Sequence, residues 1–171
     1  MPSLLRAIER FSLQSVCFLV LTLMHSAPNA ADREKHCSTL EELVARVPSN
    51  FSNIVIAKDG KPSEHDVTLV LDGATKCAVI AQSKKRSYYC VWEFPHRDQG
   101  AYRQFKELDR VVSDCLGQQA EANRDQSVNH PDFYDSRMYE MAHATVTVSV
   151  KDKSALANTF VYVWVAPKNG Y

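Results

Sequence analysis

Cys77 and Cys90 stand on either side of a polar turn, and no other feature constrains this chain as much. In the segment Lys76 to Pro95 two apolar runs flank Ser83-Lys84-Lys85-Arg86-Ser87, the pattern of a β-hairpin. With the turn centred between Ser83 and Lys84, Cys77 falls opposite Cys90 and Val79 opposite Tyr88. Antiparallel pairing then holds the two cysteines within bridging distance.

The remaining cysteines extend this into a framework. If Cys17 is removed with a leader, Cys37, Cys77, Cys90 and Cys115 remain, an even set suited to an oxidising compartment. Four cysteines allow three pairings. Hairpin geometry favours Cys77 with Cys90, which leaves Cys37 with Cys115, and the chain-entropy model assigns about 3 kcal/mol to the shorter loop and more to the longer. There is no CxxC pair to suggest zinc or thiol redox chemistry.

The amino end supports export. Arg6 and Arg10 precede the apolar run Val16 to Met24, and the small-residue segment Ser26 to Ala31 follows, in the order of a secretory signal peptide ending at Ala31. The run is shorter than the roughly 20 apolar residues of a membrane span. The expected organisation is therefore a leader over 1–31 and a single disulfide-stabilised domain over 32–171, periplasmic or secreted, with no stable membrane anchor. The whole chain carries 20 basic and 20 acidic residues; removal of Arg6, Arg10 and Glu9 leaves 18 and 19, a formal charge of minus one. That balance argues against a nucleic-acid partner, which needs a basic face. The one basic cluster, Lys84-Lys85-Arg86, occupies the hairpin tip, where solvated charge also discourages edge pairing.

Along the mature chain, Ser38-Thr39-Leu40-Glu41 has the form of a capping box, followed by Leu40, Leu43, Val44 and Val47 at helical spacing and by Pro48 as a stop. Two strands are expected over Asn53 to Ala57 and Val67 to Leu71, with Asp72-Gly73 turning into the central hairpin. Asn50-Phe51-Ser52 has the form of a glycosylation sequon. Asp98 is placed to cap a long helix whose stripe of Ala101, Tyr102, Phe105, Leu108, Val112, Cys115 and Leu116 repeats with the core-facing period, and Gly117 is its natural end. Residues 118–130 read as a polar loop, and Asp132 to Met141 as either a short helix or the start of a strand. Val146, Val148 and Val150 alternate with Thr145, Thr147 and Ser149, giving one buried and one wet face. The last strand, Thr159 to Ala166, is apolar on both faces, so it is either covered on both sides or offers one face to a partner.

The expected fold class is α+β, in the order αββββαββ: a four-stranded antiparallel meander plus a C-terminal hairpin, covered on one face by two helices. Tyr88, Trp92 and Phe94 share one face of their strand with Cys90, and Phe160, Tyr162 and Trp164 share one face of theirs. Within one sheet these six aromatic residues form a candidate binding face. Catalytic signals are sparse: His96 beside Asp98, His130 beside Asp132, and Glu93 interrupting an apolar strand are the titratable groups that could make a His/carboxylate pair. No HExxH, GxSxG or phosphate-cradling glycine loop occurs, and nothing indicates a metal or cofactor. Together these features describe a small exported binding protein, inhibitor- or immunity-like, whose partner is another protein. A small secreted hydrolase using one of those His/carboxylate pairs is the alternative.

Overall fold

The computed structural model describes residues 30–56, 63–82, 85–117, 120–123 and 134–168. Helix α1 (Ala30–Arg46) and helix α2 (Gln99–Leu116) lie on one side of an antiparallel sheet. The strands are β1 (Glu64–Asp66), β2 (Lys76–Gln82), β3 (Lys85–Pro95), β4 (Glu121–Asn123), β5 (Tyr134–Glu140), β6 (Ala144–Lys153) and β7 (Asn158–Pro167). Their order across the sheet is β1-β2-β3-β7-β6-β5-β4. The chain thus builds one meander from the β1 edge to β3, crosses the sheet through α2, and returns as a second meander from the β4 edge to β7. The two meanders meet along β3 and β7, the longest pairing after β6 with β7.

The hairpin register places Cys77 opposite Cys90 and Val79 opposite Tyr88. A disulfide joins Cys77 to Cys90, with the Cα atoms 4.1 Å apart. A second joins Cys37 of α1 to Cys115 of α2 at a Cα separation of 5.1 Å, closing a loop of sequence separation 78. A loop of that length corresponds to about 4 to 5 kcal/mol in the chain-entropy model.

Helix α2 follows its sequence pattern closely. The Asp98 side chain accepts a hydrogen bond from the Gly100 N–H, and Gly117, at φ 59°, closes the last turn through its N–H to Ser113 O. A Cβ on Gly100 would come within 2.6 Å of the capping Asp98 Oδ1, so a side chain there would require the cap to shift. Ala101, Phe105, Leu108, Val111 and Val112 are buried against the sheet. Leu40 and Leu43 of α1 join them, together with Val146, Val148 and Val150 of β6 and Val161, Val163 and Val165 of β7. Each valine, leucine or phenylalanine among them contributes about 1.5 to 3 kcal/mol by leaving water.

Three expected features come out differently. Helix α1 begins at Ala30, with Ser38 inside it, where its Oγ donates back to Lys35 O at 3.0 Å instead of capping. The expected strands over Asn53 to Ala57 and Val67 to Leu71 reduce to a single bridge between Val55 and Val67. Their apolar residues serve another purpose: Phe51, Ile54, Val67 and Leu71 are buried as an irregular plug in the core, while Val70 faces solvent. The strand that does pair with β2 is the polar Glu64–Asp66, which carries no hydrophobic pattern to announce it. The sheet consequently has three strands before α2 and four after it, with Tyr134–Glu140 as strand and β4 within the expected polar loop. The leader expected over 1–31 lies outside the described residues except for Ala30 and Ala31, which begin α1. The sequon asparagine is engaged: Asn50 Oδ1 accepts from the Arg86 N–H at 3.0 Å, next to the buried Phe51.

Candidate functional site on the open sheet face

Opposed residues in an antiparallel pair point to the same side of the sheet, so the β3–β7 register decides which aromatic residues meet. Tyr88, Cys90 and Trp92 pair with Val165, Val163 and Val161, whereas Tyr89, Val91 and Glu93 pair with Trp164, Tyr162 and Phe160. The six-residue aromatic face expected from the sequence is therefore split between the two sides. Tyr88 is 0 % and Trp92 4 % exposed, both beneath the helices. Phe94, half-buried on that same side, packs against the first turn of α2 at Gly100. Tyr88 Oη donates to Leu69 O at 3.0 Å and touches Cys90 Sγ at 2.8 Å, and burial pushes its phenol well above the ordinary value.

Phe160, Tyr162 and Trp164 lie on the other side, which neither helix covers. They are half-buried among one another. Ring centroids of Phe160 and Tyr162 are 6.0 Å apart, and those of Tyr162 and Trp164 are 6.3 Å apart. Tyr89 of β3, which the sequence pattern did not single out, stacks on Trp164 at 5.1 Å with planes 27° apart. The result is a run of four aromatic side chains across the two central strands. Such clusters contribute contact area at low side-chain entropy cost and are a common composition for interfaces.

The rim of this run is polar. Tyr89 Oη donates to Glu64, and Lys76 Nζ lies 2.6 Å from Glu64 Oε1, so β1, β2 and β3 are tied at one corner. Burial, then the Glu64 carboxylate, raises the Tyr89 phenol, while the hydrogen bond to Glu64 raises Lys76. At the other end the Asn158 amide donates to Glu93. Burial raises Tyr162 as well, with the Glu93 charge as the lesser cause. Lys151 of β6 lies opposite Phe160, with its ammonium 5.8 Å from the Tyr134 ring.

Of the titratable residues singled out as catalytic candidates, the described Glu93, His96 and Asp98 have separate engagements. The Asp98 carboxylate is occupied as the α2 cap, and Glu93 is exposed on the open face with Asn158. His96 hydrogen-bonds through its backbone N–H to Ala157 O at 2.9 Å, and its Nε2 is buried without a hydrogen-bond partner among the described residues. His130 and Asp132 lie outside the described residues.

The most enclosed acidic cluster is one that the sequence hid. Asp152, 1 % exposed, accepts from Thr159 Oγ1 at 2.6 Å and from Tyr102 Oη at 3.1 Å, with Arg97 Nε 3.7 Å away. Burial and then the Asp152 charge push Tyr102 up to about 12. In the sequence, Lys151-Asp152-Lys153 reads as a polar connection, whereas β6 runs on to Lys153 and its alternation puts Asp152 on the same side as Val146, Val148 and Val150, opposite Thr159. A second cluster joins α2 to β5: Tyr139 Oη donates to Asp109 O at 2.8 Å, Arg137 pairs with Asp135, and the Arg137 guanidinium lies 5.4 Å from the Phe105 ring centroid. Both clusters are internally satisfied, which suits cross-links between helix and sheet better than a reaction centre. No group of His, Cys, Asp or Glu suited to a metal ion occurs among the described residues, and no described helix is long and apolar enough to cross a membrane.

Fold and site together define an α+β protein with two disulfides, two helices over one face of an antiparallel sheet, and an aromatic run on the face opposite. Comparison with family models, curated proteins and solved structures finds no match for this chain.

Proposed function

We propose that this chain is an exported, non-enzymatic binding protein, inhibitor- or immunity-like, that engages a protein partner through its open sheet face. The observation that carries this reading is the run Tyr89, Trp164, Tyr162 and Phe160 on the sheet face opposite α1 and α2. Apolar area held at a surface by a rigid sheet binds with little ordering cost, because the strands have already lost their freedom on folding. The two disulfides support a periplasmic or secreted location, since such bonds persist in oxidising compartments. The separation of Glu93, His96 and Asp98 into different engagements favours binding over hydrolysis.

The test compares three forms of the immobilised, disulfide-bonded protein against the extracytoplasmic fraction of its source. Wild type and His96→Ala should retain the same partner, and the combined Phe160→Ala, Tyr162→Ala and Trp164→Ala variant should lose it. Retention by the triple variant would contradict the open face as the binding surface.

A further inference from the structure

Resting on the open face as the binding surface, we propose that its occupant is a second copy of this chain, packed face to face as a two-fold dimer of sheets. The face is self-complementary about an axis running along β7. Such an axis lays β3 of one copy over β6 of the other, and β2 over β5. Glu93 and Lys151 flank Phe160 on its two sides, in β3 and β6, so each copy's Glu93 comes over the other's Lys151. On the axis itself, Phe160, Tyr162 and Trp164 of β7, half-buried within one chain, each come over their own copies. A two-fold interface requires this reciprocity, in which residue i meets j and j meets i.

Area and net charge agree with this arrangement. Strands β3, β6 and β7 have 11, 10 and 10 residues, and β2 and β5 have 7 each. At the usual rise and strand spacing that face spans roughly 700 Å², close to the roughly 800 Å² that each partner of a standard interface buries. Two twisted sheets stack in this way with strands within about 30° of one another. The near balance of charge, 18 basic against 19 acidic residues once the leader is removed, adds little net repulsion between copies.

Sedimentation equilibrium of the disulfide-bonded protein at micromolar concentration tests the proposal, with far-UV circular dichroism as the control for folding. The expected result is twice the chain mass. Glu93→Lys or Lys151→Glu alone should weaken the dimer by about tenfold or more, and the two together should restore it. Phe160→Asp should give a folded monomer. A monomer at every concentration would overturn the proposal, as would a dimer indifferent to all of these changes. For a monomer, hydroxyl-radical footprinting separates the two readings: labelled Tyr162 and Trp164 leave the face open to a different protein, and unlabelled rings remove the open face itself.

Discussion

The two faces of the sheet are built from the same strands and differ by one residue in parity. On β7, Val161, Val163 and Val165 are wholly buried under the helices, while Phe160, Tyr162 and Trp164, one step along, point the other way and remain half-exposed. On β7 the larger side chains are thus on the less covered face, whereas on β3 Tyr88 and Trp92 lie beneath the helices. A helix packed at about 10 Å from a sheet leaves room for small β-branched residues beneath it, and valine fills that space without voids. On the aromatic side, opposite α1 and α2, the rings cover one another and the floor between them.

The largest difference between the faces should come from charge placed beneath the helices. Phe105 is 5 % exposed and faces the sheet. Phe105→Asp should unfold the domain, because an unpaired buried carboxylate costs several kcal/mol on top of the lost ring. A folded, soluble variant by circular dichroism would mean that the α2 stripe is a surface.

The disulfides give the next effect, and they divide by location. Replacing Cys37 and Cys115 by alanine should cost about 4 to 5 kcal/mol because the loop is long, and replacing Cys77 and Cys90 about 3 kcal/mol. In melting temperature under oxidising conditions this is a drop of roughly 10 °C or more for each pair, with the helix–helix link the larger. The reverse order would show that the hairpin, rather than the helical cover, limits stability.

A smaller effect separates the buried polar cluster from the rest of the core. Tyr102 has its phenol raised from 10.0 to about 12. A group that binds its proton more tightly when folded stabilises the protein below the unfolded pKa and loses that contribution as pH rises through the folded one. Stability should therefore decline between about pH 10 and about 12, and Tyr102→Phe should make that part of the urea-midpoint profile shallower, the raised phenols of Tyr88, Tyr89, Tyr139 and Tyr162 supplying the rest. An unchanged profile would show that the Tyr102–Asp152 contact carries no linkage.

Much of this comparison could be read in the sequence, and its limits have physical causes. The α+β class, the Cys77–Cys90 register and the span of α2 all depend on local signals: a turn between apolar runs, a capping aspartate and a 3.6-residue stripe. The Val/Thr alternation of β6 was equally local. The placement of the aromatic residues was not, because parity is defined within a strand, while relative register between β3 and β7 is set by pairing across 65 residues of chain, as between Glu93 and Asn158. Strand β1 was invisible because Glu-His-Asp has no apolar pattern, and the neighbouring apolar run from Val67 to Leu71 misled because its burial is irregular. Asp152 looked like a surface charge between two lysines until Thr159 and Tyr102 were placed beside it.

Two adjacent substitutions on β7, followed by urea denaturation, test the difference between the faces most directly. Val163→Asp should abolish the cooperative transition. Tyr162→Asp should leave a folded protein with most of its stability, since its side chain leaves the sheet on the side opposite α1 and α2. If both variants unfold alike, or if Val163→Asp is the one tolerated, the assignment of the two faces is wrong.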